Sequence, residues 1–316
     1  MSTKLIAELC QNHNGSREVL QEMIFAVSRA GFTHAKIQGL YSAELAKRDE
    51  FEDSTSDLFR PYDREFDRLR RLDLTEEDET WFVEATQNAG LQPMITVFTH
   101  AGVERAKRAG FSSIKIASYD CASHPLIQRC AEFASELIVS TGATPWVDVK
   151  STSHLLSSFK RNGIEVGLLH ARTIYPALAT DTGLLRMLCL KDLGASVGFS
   201  DHSLNNDDSL LATKFALFLG ARIIERHFTV LPSEQTKDGP VSITEEQAKQ
   251  ISEFAQMTQE QKFESLGSML SRLPEFIQVQ DLEPTEVEKK NARYYRGRVA
   301  SVVQGKIINS WEVLSL

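Results

Sequence analysis

The feature that most constrains the fold is a regular alternation between short apolar runs and amphipathic stretches. The apolar runs are LIAEL (5–9), HAKIQ (34–38), LQPMITVF (91–98), SIKIAS (113–118), ELIVST (136–141), EVGLLHA (165–171), SVGFSDH (196–202) and RIIERHF (222–228). The helix-like stretches are 17–30, 75–89, 101–109, 124–134, 146–161, 182–192, 206–219 and 244–257. Near-continuously apolar strands are typical of a parallel sheet that is buried on both faces. Eight strand–helix units in one chain predict an α/β protein, a (β/α)8 TIM barrel with a short C-terminal extension.

Glycine marks most of the joints at which a predicted helix passes into the next predicted strand. A left-handed glycine ends a helix and lets the following strand begin at once. The glycines at these joints are Gly31, Gly90, Gly110, Gly194 and Gly220. The first strand is followed by QNHNG and not by the G-x-G-x-x-G turn, which disfavours a dinucleotide-binding fold.

Two regions depart from the repeat. Residues 39–74 form a long polar insertion between the second strand and its helix, with one short helix predicted at 63–71. Long loops in compact domains are usually functional lids or disordered, and in a barrel this loop lies on the catalytic face, so we expect a lid. Beyond 257 we predict a helix at 259–271, then a linker and two short strands in RVASVV and SWEVLSL. The predicted domains are therefore a barrel over 1–283 and a linker with a short terminal segment over 284–316.

Composition excludes several classes of partner. The formal net charge of −8 argues against general nucleic-acid binding, although a local cationic pocket can still hold a small anion. No apolar stretch is long enough to span a bilayer, and the N-terminus lacks the pattern of a signal peptide. The four cysteines show no C-x-x-C spacing, so we expect reduced thiols in a cytoplasmic protein.

Polar side chains stand at the carboxyl end of every predicted strand, which is the catalytic end of a barrel. They are Glu8, Lys36, Gln38, Thr96, Lys115, Ser118, Asp120, Ser140, Thr141, His170, Arg172, Thr173, Tyr175, Ser200, Asp201, His202, Glu225 and His227. Side chains two residues apart in a strand share a face. Glu225 and His227 should therefore face the barrel mouth together, and Arg226 should point outward. Cys10 and Cys121 also fall near strand ends, but nothing nearby marks either as a nucleophile.

The residue types at this mouth indicate two kinds of chemistry. Lys36 and Lys115, with nearby hydroxyls, suit a phosphate or carboxylate; a structural alternative is pairing of each lysine with a carboxylate. His202 and His227 lie on neighbouring strands and could share a divalent ion, with Glu225 as a ligand or as the holder of a bound water. The alternative is that the two histidines only form hydrogen bonds. A metal here could polarise a carbonyl group.

Ordered motifs then carry a resemblance to a known family. They are IAELCQNHNG, AKIQ, LDLTEED, IKIAS, VSTG, LLHARTIYP, GFSDHS and IIERHFT. Together they resemble the N-acetylneuraminate (sialic acid) synthase family over about residues 4 to 285. The resemblance implies a barrel enzyme that condenses phosphoenolpyruvate with an N-acylated hexosamine. The product would be a nine-carbon 2-keto sugar acid, and phosphate would be released.

The resemblance also implies roles for individual residues. The metal, most often Mn with Mg or Co as alternatives, would be held by His202 and His227. The catalytic groups would be Glu8, Lys115 and Glu225. The substrate-binding residues would be Lys36, Gln38, Thr96, Ser118, Asp120, Ser140, Arg172, Thr173, Tyr175, Ser200 and Asp238.

Three departures from the family pattern fall on the sugar side. Asp120 stands where the family has glutamate, Arg172 and Thr173 replace other residues after the sixth strand, and Asp238 lies in DGPVS. We therefore expect the phosphoenolpyruvate and metal chemistry to persist with a changed acceptor sugar, and Arg172 to meet an acid or phosphate on it.

The terminal segment resembles only the opening of the antifreeze-like domain that family members usually carry, and a homodimer is expected from the resemblance. Two rival functions stay open. One is another phosphoenolpyruvate aldol-type synthase with a different aldehyde acceptor. The other is a catalytically inactive barrel that acts as a binding subunit.

Overall fold

A computed structural model describes residues 3–206, 208–277 and 282–314. Eight parallel strands, each hydrogen-bonded to its neighbours, close into a barrel in sequential order. They are β1 (Lys4–Cys10), β2 (His34–Gly39), β3 (Gln92–Val97), β4 (Ser113–Ile116), β5 (Glu136–Ser140), β6 (Glu165–Ala171), β7 (Ser196–Asp201) and β8 (Ile223–His227). The predicted (β/α)8 barrel is confirmed.

The eight predicted amphipathic stretches contain helices, and four more helices lie in the insertion and in the described chain after residue 257. They are α1 (Arg17–Arg29), α2 (Tyr62–Arg70), α3 (Glu76–Asn88), α4 (His100–Ala109), α5 (His124–Ala131), α6 (Trp146–Arg161), α7 (Leu184–Leu190), α8 (Ser209–Phe218), α9 (Glu245–Gln256), α10 (Gln259–Leu266), α11 (Leu273–Phe276) and α12 (Glu286–Tyr295). Side-chain caps begin several of them; Ser16 accepts the Val19 amide, and Thr75 forms a capping box with Asp78. The predicted joint glycines all have positive φ, from 76° to 91°.

The core has two parts. A small apolar cluster fills the inside of the barrel below the mouth: Ile6, Met94, Ile138, Leu169 and Ile223. A larger cluster lies between the strands and the helices. The barrel interior is thus a packed core in its lower half, as in other barrels of this type, and leaves open space only at the carboxyl ends of the strands.

Strand β1 has an irregularity at the mouth. Glu8 pairs with Lys36, but Cys10 pairs with Ile37, so one residue of β1 is bulged. Cys10 itself has φ +51°, in the left-handed region. That conformation is uncommon for a residue with a side chain and costs about 1–2 kcal/mol.

The 39–74 insertion is ordered and contains α2, which confirms the helix predicted at 63–71. Two further single turns of 3₁₀ helix, Ser42–Glu44 and Asp49–Phe51, lie before it. Tyr41 donates a hydrogen bond to Glu79 of α3 at 2.6 Å, and Ser42 binds Asp73 at the end of the insertion. The insertion therefore folds back onto the barrel.

The segment after 283 differs from its prediction in two ways. The stretch expected to be a linker contains the helix α12, and the second strand is Lys306–Ile308 (β10), paired antiparallel with Ser301–Val303 (β9). SWEVLSL is not a strand over its described residues 310–314. The reason is the turn at Gln304 and Gly305, whose φ values of 51° and 77° suit the two-residue hairpin turn that twists with its strands.

This terminal segment lies over the mouth of its own barrel. Two backbone hydrogen bonds join the terminal segment to the insertion. Ala46 N donates to Arg298 O, and Ala300 N donates to Glu44 O, both at 2.9 Å. On the far side Ser310 Oγ donates to Asp120 at 2.7 Å. The insertion and the terminal segment thus form one cover over the carboxyl ends of the strands.

In the described parts of the chain, no helix is both long and apolar enough to cross a membrane. All four cysteines are free thiols.

Candidate active site

A cavity of about 310 Å³ opens at the carboxyl ends of the strands, beneath this cover. All but one of the predicted site residues line it, and every strand of the barrel or its following loop contributes. They are Glu8, Lys36, Gln38, Thr96, Lys115, Ser118, Asp120, Ser140, Thr173, Tyr175, Ser200, His202, Glu225, His227 and Asp238. The inward orientation that strand alternation predicted for Glu225 and His227 is therefore confirmed.

Two lysines and two carboxylates form the floor of the cavity. Glu225 Oε1 lies 3.3 Å from Lys115 Nζ, and its Oε2 lies 3.6 Å from Lys36 Nζ. Lys36 also binds Glu8 and the Thr96 hydroxyl, the latter at 2.9 Å. All of these groups are almost fully buried, so each charge depends on its neighbours for stabilisation.

The same contacts set the protonation of the floor. Burial alone would lower the pKa of Lys36, but Glu225 and Glu8 outweigh it and the pKa is raised. Burial lowers the pKa of Lys115, against the attraction of Glu225. Burial would raise the pKa of Glu225, but the two ammonium groups hold that pKa below its usual range. Glu225 is accordingly an ionised carboxylate that faces both lysines.

Hydroxyl groups complete the floor. Lys115 Nζ donates to Ser140 Oγ at 2.7 Å, and Ser200 Oγ donates to Glu225 at 2.8 Å. An anion that entered here would meet ammonium and hydroxyl donors from β2, β3, β4 and β5 on one side of the barrel.

His202 is held in one tautomer on the opposite side. Its Nδ1 lies 2.7 Å from the backbone oxygen of Arg172, and because a carbonyl only accepts, Nδ1 carries the proton. Nε2 then faces the cavity, 3.0 Å from the Tyr175 hydroxyl. Burial and the nearby His227 lower the pKa of His202 to about 4, so its ring is neutral at pH 7. A neutral, oriented imidazole is the form that binds metals.

His227 lies beside His202, with 5.4 Å between the ring centroids. Its Nδ1 is buried and has no hydrogen-bond partner among the described residues. Asp238 Oδ2 lies 4.0 Å from this nitrogen. Cys10, which sequence reasoning set aside, donates its thiol proton to the same carboxylate at 2.8 Å. Ligand-capable atoms of Cys10, His227 and Asp238 lie within 4.8 Å of one another.

Arg172 is the predicted site residue that the structure does not bring to the cavity. Its guanidinium pairs with Glu288 of α12 at 2.9 Å, and both side chains are buried. Glu288 also accepts hydrogen bonds from Thr173 N and Oγ1. The expectation that Arg172 meets a charged group of the acceptor is therefore corrected: its partner is an internal carboxylate, and it fixes the terminal segment to β6.

The outer half of the cavity carries three cations that sequence reasoning missed. Arg68 comes from α2 of the insertion, Lys237 from the loop before Asp238, and Arg298 from the terminal segment. Glu65 pairs with Arg68 at 2.7 Å and with Arg298 at 3.3 Å. Burial and the nearby Arg68 lower the pKa of Lys237. No spacing rule marks these residues, because they lie on separate segments that meet only in the folded cover.

Asp120 is placed where the cavity meets this cover. Its carboxylate accepts from Ser310 at 2.7 Å. Burial raises the pKa of Asp120 to about 6, against the stabilising hydrogen bond from Ser310. It lines the cavity as predicted, but it also ties the terminal segment to the barrel.

The fold and the site together define a barrel enzyme whose cavity holds an anion-type floor and a paired-histidine wall at the carboxyl ends of the strands. The sequence pattern of the NeuB family matches residues 23–265, which is most of the chain. The protein belongs to the NeuB family.

Characterised relatives are similar over most of their length. The chain is 29% identical over 264 residues to N,N'-diacetyllegionaminic acid synthase of Legionella pneumophila, covering 79% of this chain and 70% of the relative. It is 29% identical over 246 residues to pseudaminic acid synthase of Campylobacter jejuni, covering 76% and 68%.

Solved structures share the fold. The spore coat polysaccharide biosynthesis protein SpsE of Bacillus subtilis superposes with a TM-score of 0.72 at 20% identity, covering 98% of this chain and 85% of the other. The sialic acid synthetase of Leptospira borgpetersenii gives a TM-score of 0.69 at 23% identity, covering 94% and 92%.

Proposed function

We propose that this protein condenses phosphoenolpyruvate with an N-acylated hexosamine or a related aldose to form a nine-carbon 2-keto sugar acid, with release of phosphate. The observation that carries the proposal is the pairing, in one cavity, of two buried lysines on the floor with two buried histidines on the opposite wall. Membership of a family whose relatives are named as legionaminic and pseudaminic acid synthases supports it.

Phosphoenolpyruvate would bind on the floor. Lys36 and Lys115 supply positive charge, and the hydroxyls of Thr96, Ser118 and Ser140 supply oriented donors. Their position on β2 to β5 leaves the opposite wall free for the second substrate. The two reactants would thus lie side by side, and holding them so is itself a large part of catalysis.

A divalent metal, Mn by resemblance, would be held by His202 and His227. The neutral His202 ring and the partnerless His227 Nδ1 fit such an ion, and we infer that it polarises the carbonyl of the open-chain sugar when bound. The bond changes take place between the two substrates and water. C3 of phosphoenolpyruvate would attack the carbonyl carbon of the sugar, and water would add at C2 of phosphoenolpyruvate. Cleavage of the bond between this C2 and the phosphate oxygen would then release phosphate.

Proton movement would centre on Glu8. Its carboxylate accepts a hydrogen bond from Lys36 and another from Cys10 N, the latter at 2.7 Å. Glu8 and Lys36 would therefore stand as an ion pair between the two binding regions. Glu225 keeps both ammonium groups in position through its ionised carboxylate.

The acceptor sugar would occupy the outer cavity, near Gln38, Asp120, Thr173, Tyr175 and Asp238. Arg68 and Arg298 stand there, both paired with Glu65, and Lys237 lies beside them in the cavity. We propose that these three cations take the role first given to Arg172, which is to meet an acid or phosphate on a changed acceptor.

The test is phosphate release by the purified protein with phosphoenolpyruvate, a divalent metal and a panel of aldoses. We expect release that needs both the metal and one N-acylated hexosamine, with a nine-carbon keto acid detected by mass spectrometry. Release with a short, non-acylated aldose alone would support the rival aldol-type synthase. Absence of release with every acceptor would support the inactive barrel. We also propose a homodimer, which the resemblance implies, and a cytoplasmic location, which the cysteine pattern suggested.

A further inference from the structure

The feature of interest is Cys10, a buried thiol that the proposed chemistry does not use. It lies at the bulge of β1, and it lines the cavity opposite His227. Its thiol hydrogen bond to Asp238 closes a cluster in which three potential ligand atoms lie within 4.8 Å of one another. Two atoms on opposite sides of one ion would be separated by up to about 4.5 Å, at about 2.0–2.3 Å per bond. The cluster therefore has the dimensions of a metal site.

A second observation points to a ligand in the same place. His227 Nδ1 is buried, and no hydrogen bond satisfies it among the described residues. Buried polar atoms in folded proteins nearly always have a partner, so an orphan of this kind indicates a missing ion or molecule. Asp238 Oδ2 lies 4.0 Å from this atom, and the Cys10 thiol donates a hydrogen bond to the same oxygen.

We propose that Cys10, His227 and Asp238 form a three-ligand metal site that prefers a thiophilic divalent ion, Zn²⁺, Co²⁺ or Fe²⁺, to Mn²⁺ or Mg²⁺. The His202 ring lies beside this site, 5.4 Å from the His227 ring between centroids. The inference rests on the proposed function only in taking His227 as a ligand. Thiolate and imidazole ligands suit Zn, Co and Fe, whereas Mn and Mg prefer oxygen ligands. When the ion binds, the S–H proton is released to solvent and the thiolate sulfur takes the ion in its place.

The backbone supports this role for the side chain. Cys10 has φ +51°, where glycine would be free of strain. Strained positions of this kind are found at functional sites, where the surrounding structure holds them in place. Here the left-handed turn follows the bulge and presents sulfur to the same carboxylate that faces His227.

Cobalt gives a direct readout of sulfur ligation. The full chain, stripped of metal by a chelator and loaded with Co²⁺, should show a near-ultraviolet sulfur-to-cobalt charge-transfer band. Cys10→Ser should abolish this band. The matched control is Cys189→Ser, a free cysteine on α7 outside the cavity lining, which should keep it. A cobalt-loaded protein without the band, or a Cys10→Ser variant that retains it, would overturn the proposal.

Affinity for the ion gives the second readout. Cys10→Gly, whose backbone suits glycine, should weaken Zn²⁺ binding by about 10-fold or more, because loss of even an outer-shell partner costs about 10–100-fold. It should change Mn²⁺ binding much less. Asp238→Asn should weaken Zn²⁺ binding and keep the cobalt band, because the sulfur remains.

These measurements need no synthase activity, so the two proposals fail separately. If His227→Ala loses the metal and Cys10→Gly does not, the Cys10 site is wrong and the proposed function stands. If the sulfur band is present but no phosphate is released from phosphoenolpyruvate, the proposed function is wrong and the Cys10 site stands.

Discussion

Arg226 and Asp201 form an ion pair across β8 and β7, and both side chains are completely buried. The two residues are register partners, and the carboxylate also accepts from the Thr213 hydroxyl of α8 at 2.8 Å. The pair lies on the outer face of the barrel, so Arg226 points away from Glu225 and His227, its neighbours in sequence. The strand β8 thus points Glu225 and His227 into the barrel and Arg226 toward the helix layer, where it pairs with Asp201.

Breaking this pair should destabilise the protein strongly. We expect Asp201→Ala to lower the free energy of unfolding by about 3–5 kcal/mol, because it removes the carboxylate from a fully buried ion pair. Chemical denaturation monitored by circular dichroism measures the loss. The matched control is Glu245→Ala, which breaks the half-exposed pair with Arg29 and should cost less than about 1 kcal/mol. Equal losses in the two variants would contradict the prediction.

Removing a floor lysine should weaken binding of phosphoenolpyruvate. We expect Lys115→Met to reduce its affinity by about 10- to 150-fold, since a hydrogen bond to a charged group contributes about 1.5–3 kcal/mol. Isothermal titration with the purified variant measures this. Lys107→Met, on the exposed face of α4, controls for net charge and should bind as the unaltered protein does. Unchanged affinity in Lys115→Met would remove Lys115 from the anion site.

We expect the terminal segment to complete the cavity of its own chain and not that of a partner subunit. Arg298 of the terminal segment and Lys115 of the same chain line one cavity. We therefore expect co-expressed Lys115→Met and Arg298→Met chains to have no more activity than the mean of the two variants assayed separately. A segment that served a partner's site would instead rebuild intact sites in mixed dimers. Recovery of activity in the mixture would show such an exchange.

Arg298 should act on the acceptor side. Because it lies in the outer cavity with Arg68 and Lys237, Arg298→Met should raise the KM for the acceptor sugar by about 10-fold or more. The KM for phosphoenolpyruvate should stay within about twofold. Steady-state kinetics with each substrate varied in turn separates the two effects, and equal rises in both constants would indicate a general loss of structure.

Acid should destabilise the protein partly through His170. Burial, with the nearby Arg186, lowers the pKa of this ring to about 3, below about 6.5 in an unfolded chain. Between these values the unfolded chain binds more protons, so stability falls as the pH drops through that window. His170 Nε2 donates to Thr182 O at 2.6 Å. His170→Gln keeps a donor there and should flatten the loss of stability between about pH 6.5 and 4, measured by denaturant titrations at each pH.

Regular features of this molecule were predictable from sequence because they repeat. The period of apolar residues predicted where the strands lie, and strand alternation predicted that Lys36, Glu225 and His227 face inward. The prediction that Arg172 contacts the acceptor was wrong because its partner, Glu288, is over a hundred residues away in sequence. No local sequence pattern links the two residues. Arg68 and Arg298 were missed for the same reason. Cys10 was passed over because only the bulge and the left-handed backbone bring its sulfur to Asp238.

The left-handed cysteine has a consequence at the level of the gene. Cysteine and glycine codons differ by a single nucleotide, and glycine is the residue that this backbone accepts without strain. One base change therefore converts the position between a relaxed turn without a ligand and a strained turn that presents sulfur. By the metal site proposed for Cys10, such a change would alter the metal preference of the barrel, and neither the strands nor the floor of the cavity would have to change.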